Sequence, residues 1–215
     1  MARLYLVRHG ETTANVMQQL DTALPGANLT DFGARQGVRF GLENPLTGPA
    51  VLVNSVAGRA QQTAGLIASV WETDPQTVEG IHEVQVGDLE GRSDRDAHLQ
   101  FRDVVHRWHH GELDARVPGG ESLEMIRARY IPVLHDLALT HLTGDEQRDV
   151  YVVSHGAAIR LAAAHLANVD PEFAMKSHLR NTDSVELEFD GNGWTLHRWG
   201  RLTDFTPGVD DEPMG

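Results

Sequence analysis

The sequence predicts an α/β fold of three layers, α/β/α, built on a central and mainly parallel sheet. Short apolar runs at residues 4–7, 50–53 and 150–153 read as strands buried on both faces. Helix-period segments follow them, and such alternation places helices on both faces of a parallel sheet. Two of the four strands expected in that sheet end in a polar dipeptide containing histidine, Arg8-His9 and Ser154-His155. In open α/β sheets, ligands sit beyond the carboxyl ends of the strands.

Taken in order, residues 4–7 form the first strand, and the next twenty, rich in Thr, Asn, Asp, Gln, Pro and Gly, are expected to form a long loop. Thr30 caps a helix running to about Glu43, which Asn44 and Pro45 stop. Residues 50–53 give a second strand, 58–71 a second helix, and a third strand is expected near 76–81. A polar, histidine-bearing helical stretch follows Gly91 and runs to about His110. It forms the centre of an expected helical cap or insertion at about 91–120. The clearest helix covers 121–142, where Leu123, Ile126, Tyr130, Val133, Leu134 and Leu137 recur at three- and four-residue spacing. Pro132 inside it predicts a kink or a break. Residues 150–153 form a further strand, with a helix at about 157–166. Residues 184–189 and 194–199 flank Gly191-Asn192-Gly193 and are expected to close the sheet as a hairpin. The whole reads as one domain over 1–205 with a loose acidic tail at 206–215.

Composition excludes several function classes. A chain of 215 residues buries roughly 70% of its unfolded surface, enough for a core without staples. The absence of cysteine removes disulfides, thiolate metal sites and cysteine nucleophiles. A formal net charge of −13 argues against a general affinity for nucleic acid or anionic membrane. The first residues show no export pattern and no run of 18 apolar residues occurs, so a cytoplasmic location is the expectation. Lys176 is the one lysine beside 17 arginines. An anion site here must therefore be built from guanidinium, imidazole and backbone N–H groups.

The chemistry concentrates at the two histidine-bearing strand ends. His9-Gly10 and His155-Gly156 both follow strands, so the two imidazoles are expected to meet face to face in one cationic pit. Each glycine permits a sharp turn that exposes N–H groups to an anion. A lone histidine among 12 is best read as structural; the matched context is what raises this pair. Arg8 adjoins His9, and Arg59 opens a helix just past a strand end, a position suited to bidentate phosphate binding. His106, His109 and His110 have a spacing that metal ligands use but lack the intervening glutamate of a metalloprotease helix, so a solvated surface is expected. Ser154 half resembles a nucleophile elbow without its first glycine.

Residues 4–15, LYLVRHGETTAN, resemble the opening signature of the histidine phosphatase superfamily, the phosphoglycerate mutase-like enzymes. Further blocks fit in the same order: Leu29-Thr30 with Gly33 and Gln36, Ser55 with Arg59-Ala60 and Thr63-Ala64, and Glu83 with Gly87, Glu90 and Gly91. Pro118 to Ser122, Ser154-His155-Gly156 and Asn181 complete the set. The resemblance implies a phosphoglycerate mutase-like fold and a two-step phosphoryl transfer with His9 as nucleophile. It implies that Arg8, Arg59 and His155 stabilise the equatorial oxygens, with Asn15, Gly10 and Gly156 binding the same group. No metal or cofactor is implied, because the arginines take the place of one. Glu83 is implied as general acid and then base. At an ordinary value near ~4.3 it would be only ~0.2% protonated at pH 7, so burial, the phosphate dianion or an acidic optimum must help it. Glu90 is the second candidate and reads better as a structural partner.

The expected activity is metal-independent hydrolysis of a small phosphorylated metabolite. Phosphoglycerate mutase-type transfer is the alternative, and a non-catalytic phosphate-binding domain a third reading. The mutases of this family follow their glutamate with Arg-His-Tyr-Gly and carry a later Arg-Arg pair. Here Val84-Gln85-Val86-Gly87 follows Glu83 and no Arg-Arg occurs, which favours the hydrolase. Specificity is expected from residues 21–28 and 91–117, with Trp108 as a candidate wall and Asp94, Asp96 and Asp103 as acids that repel highly charged esters. An edge strand near 76–81 is a possible homodimer contact.

Overall fold

A computed structural model describes residues 1–203. The tail expected at 206–215 lies outside the described residues. Six strands form one sheet in the order β3-β2-β4-β1-β5-β6. They are β1 (Leu4–Arg8), β2 (Ala50–Ser55), β3 (Gln76–Val78), β4 (Asp149–Ser154), β5 (Ser184–Phe189) and β6 (Trp194–Trp199). The first four run parallel, β5 is antiparallel to β1, and β5 and β6 form the hairpin.

Alternation along the central strands explains the three layers. Leu4, Leu6, Val150 and Val152 face one side, where Tyr130 and Leu134 of α5 (Leu123–His141) and Ile159 and Ala162 of α6 (Gly156–Leu166) cover them. Val7, Leu52, Tyr151 and Val153 face the other side. There Phe40 of α2 (Asp31–Glu43) and Ala60, Ala64 and Ile67 of α3 (Gly58–Trp71) cover them. A third apolar cluster joins Val84, Val86 and Leu89 to Ala97, Val104 and Trp108 of α4 (Arg95–His109) and to Leu123 and Ile126. This cluster fastens α4 to the loop that carries Glu83, beside the strand ends.

The structure departs from the sequence reading in four places. The segment expected to be a loop contains a short helix, α1 (Thr13–Val16), closed by a reciprocal capping box between Thr12 and Asn15. Four residues hold no apolar period, so only the cap could have shown it. A second short helix, α7 (Pro171–Lys176), starts from the Asp170 cap and a proline in its first turn. The third strand stops at Val78 rather than near 81, because Gly80 turns the chain at φ +87°. The longest helix passes through Pro132 without a break, held by Tyr130, Leu134 and Ala138, which are buried on one face.

Candidate active site

The parallel register places Arg8 of β1 beside Ser154 of β4, so the next residues, His9 and His155, emerge side by side at the carboxyl edge. Both are buried. Their ring centroids are 5.3 Å apart and the planes are tilted by 60°, so the rings adjoin without standing face to face; His9 lines the pit, whereas His155 is fully buried and does not border it. The cause is Arg59. Its Nε reaches between them, donating to His9 Nε2 at 3.1 Å and lying 3.3 Å from His155 Nδ1.

The surrounding bonds fix the imidazoles. His9 Nδ1 lies 2.7 Å from the Gly10 carbonyl, which assigns the proton to Nδ1 and leaves the lone pair on Nε2. His155 Nε2 lies 2.9 Å from Ser55 Oγ. Burial, with Arg59 and then Arg8 beside it, holds His9 well below the ordinary histidine value; burial, Arg59 and His9 do the same to His155. Near neutral pH, therefore, both rings are uncharged and the pit's positive charge is that of its arginines.

Arg8 donates from Nη1 to the Leu179 carbonyl, while its buried Nε has no partner. That unsatisfied nitrogen lies over Gly156, where an added Cβ would approach it to 3.2 Å. A buried N–H without an acceptor costs ~1–3 kcal/mol, a cost that an anion in the pit removes. Gly156 borders the same cavity, as does Asn15. Asn15 Oδ1 accepts from the Thr12 N–H and from Asn181 Nδ2, which fixes the orientation of its side chain at the cavity wall. Gly10 behaves otherwise. Its N–H is taken by Thr63 Oγ1, and an added Cβ would stand 2.5 Å from the Gly33 carbonyl oxygen. The glycine serves the close approach of α2 to β1, and its N–H is not turned to an anion as the sequence had suggested.

Glu83 sits at the N-terminus of α6. Its Oε1 accepts from Val84 and Ala158 and its Oε2 from Ala157, so the carboxylate caps the helix that His155 begins without a side-chain cap. It is half-buried and its lone pairs are well supplied with donors. Glu90 grips Thr22, accepting from its N–H and hydroxyl, and is absent from the cavity lining.

Three supports were missed in the sequence, and the first two carry no local signal there. Asp21 pairs with Arg59 Nη1 at 3.2 Å, and the loop approaches there through Gly26, whose added Cβ would lie within van der Waals overlap of that guanidinium. Arg129 holds the carbonyls of Gly80, His82 and Glu83 while pairing with Glu121. Arg160 borders the pit one helical turn beyond Gly156. The i, i+4 spacing of Gly156 and Arg160 was the available signal for it. Ser154 is fully buried, accepting from Tyr130 and donating to the Ile81 carbonyl, and so has no free hydroxyl. Trp108 belongs to the α4 core, with Nε1 donating to the Ala115 carbonyl, and does not line the pit. Asp94 caps α4 and pairs with Arg92. His106 and His110 lie exposed with ring centroids 4.2 Å apart, and no three-residue metal cluster occurs among the described residues.

The pit is about 200 Å³, enough for a phosphoryl group and the first atoms of an alcohol. A family model described as the histidine phosphatase superfamily (branch 1) matches residues 4–201. Among curated proteins, the probable phosphoglycerate mutase GpmB of Proteus mirabilis is 28% identical over 200 residues, 93% of this chain and 90% of that one. A mycobacterial glucosyl-3-phosphoglycerate phosphatase complexed with VO3 has a similar fold, with a TM-score of 0.80 at 23% identity over 93% of this chain and 99% of that one. A putative alpha-ribazole-5'-P phosphatase from Escherichia coli gives a TM-score of 0.74 at 24% identity, covering 97% and 99%.

Proposed function

Because the chain belongs to the histidine phosphatase superfamily, branch 1, we propose that it is a phosphomonoester hydrolase working through a phosphohistidine on His9. The observation that carries this reading is the His9 ring: its proton is held on Nδ1 by Gly10, and its Nε2 lone pair is directed into an arginine-lined pit.

In the first step Nε2 attacks phosphorus in line, the P–O ester bond breaks, and the departing oxygen takes a proton from Glu83. The Gly10 carbonyl supports the positive charge that develops on the ring. Arg59 moves its Nε from the lone pair to the equatorial oxygens, where Arg8 and Asn15 also donate. His155 contributes in the tautomer in which the Ser55 hydroxyl donates a hydrogen bond to Nε2 and Nδ1–H faces the phosphoryl group. In the second step Glu83 accepts a proton from water, the water oxygen attacks phosphorus, and the P–N bond returns its electron pair to Nε2. The cations of the chain supply the charge stabilisation, so the reaction is proposed to proceed without metal.

Mutase-type transfer is the second reading, favoured by the likeness to probable phosphoglycerate mutases. Against it stand Val84 and Val86, apolar and buried in the α4 cluster directly after Glu83, where the mutases of this family carry cationic residues. The deciding experiment is turnover of p-nitrophenyl phosphate with excess chelator, by the wild type and by His9→Ala. The wild type is expected to release nitrophenol and to yield an acid-labile phosphopeptide containing residue 9. Equal turnover by the variant would defeat the mechanism. Interconversion of 3- and 2-phosphoglycerate, stimulated by the bisphosphate, would replace the hydrolase by the mutase.

A further inference from the structure

Beside the phosphoryl pit lies a groove of about 410 Å³, and Arg160 and His178 border both cavities. One wall is a face of α4 carrying Arg95, Leu99, Arg102 and Val105, with Phe101 alongside; Met175 of α7 stands opposite. The walls are apolar and the rim is cationic.

The arginines of this region divide into two sets. Arg92 pairs with Asp94 and Asp96, and Arg107 with Glu112, all away from the groove. Arg95 and Arg102, which face it, make no ion pair among the described residues. Arg160 donates Nε to the Gly156 carbonyl and Nη1 to those of Ala174 and Met175, and it too has no carboxylate within ion-pair distance. Burial works against its charge. In a chain with 31 acids against 18 bases, three arginines without carboxylate partners around one cavity are a built preference for an anion.

From this juxtaposition we propose that the groove receives the alcohol portion of the phosphoester, and that this portion is an apolar, ring-sized group bearing a second anionic group opposite Arg95 and Arg102. The inference rests on the hydrolase reading. A three-carbon acid would leave Leu99, Phe101, Val105 and Met175 facing water, whereas a ring covers them and carries its anion to the rim. Phe101 supplies the aromatic wall that the sequence had assigned to Trp108, against whose ring it packs edge-on at 6.4 Å.

The test uses three phenyl phosphates that differ only in a para arm ending in carboxylate, hydroxyl or ammonium. Because their leaving groups are nearly alike, differences in kcat/KM report the groove. The carboxylate ester is expected to exceed the ammonium ester by about tenfold, less at high salt, through charge complementarity at the rim. In Arg95→Gln/Arg102→Gln the ratio should fall toward one. The corresponding benzylphosphonates, measured by calorimetry, read the same preference without turnover. Hydrolysis of all three esters at equal kcat/KM, or a preference that survives in the double variant, would overturn the groove assignment and leave the hydrolase reading standing. No hydrolysis of any ester, with the anion preference retained in phosphonate binding and lost in the variant, would uphold the groove and defeat the hydrolase.

Discussion

His9 and His155 differ from an exposed histidine because two causes act together: both rings are buried, and both face Arg59. Each cause disfavours the protonated ring. The nucleophile thus stays uncharged well below pH 6.5, and the acid limb of kcat/KM is expected below that value, measured with p-nitrophenyl phosphate. A limb centred at 6.5 would mean that the pit is solvated. The same shift has a consequence for stability. Below 6.5 the unfolded chain takes up protons that the folded chain refuses, so unfolding free energy falls as pH drops through that window. The slope is up to about 1.4 kcal/mol per pH unit for each ring, readable by denaturant titration between pH 7 and 5. Glu83, by contrast, is placed by three N–H donors at the start of α6. Glu83→Gln should slow alkyl phosphates at least tenfold more than activated aryl phosphates, since only poor leaving groups need the proton. Uniform loss on both would move the acid role to another group, and Glu90, held by Thr22, is then the first to examine.

At the scale of elements, the segment before Glu83 is neither helix nor strand, and Arg129 of α5 keeps it in place. One guanidinium satisfies three carbonyls and the Glu121 carboxylate, tying residues 80–83 to a helix anchored in the core. Arg129→Met leaves Glu121 and those carbonyls without their donor, and a loss of about 2–4 kcal/mol in stability is expected by chemical denaturation. If Arg129 also positions Glu83, kcat should fall more for alkyl than for aryl phosphates in the folded variant, with little change in KM. An equal fall would leave Arg129 a stabilising residue alone. None of this was legible locally: residues 121–142 show a helical period, but no period tells which loop an exposed-looking arginine will reach. The strands and long helices were legible because each repeats one burial choice over many residues. Short α1 and α7 repeat nothing, and each is made by a cap.

Across the molecule, the pit is where β1, α1, α3, α6 and the loops at 19–22, 83 and 178–179 meet, so an anion bound there bridges the sheet and its helices. Inorganic phosphate at a hundred times its Kd should therefore stabilise the fold by about 2.7 kcal/mol, raising Tm by roughly 5–10 °C. Chloride at equal ionic strength controls for salt, and no phosphate-dependent shift would mean that Arg8 and Arg59 do not hold the anion. No helix among the described residues is long and apolar enough to cross a membrane. β3, three residues long, does lie at an edge of the sheet, where the sequence placed a possible dimer contact.

By itself the sequence determined the α/β class, the succession of strands along the chain and the placing of His9 and His155 at one sheet edge, since buried parallel strands announce themselves and their ends share one edge. Only the tertiary structure decided that Arg59 separates the rings, that Gly10 spends its N–H on Thr63, that Glu83 caps α6, and that Arg129 and Arg160 belong to the site. Those are contacts between residues tens of positions apart. They depend on how the layers dock, which packing settles and local periodicity does not encode.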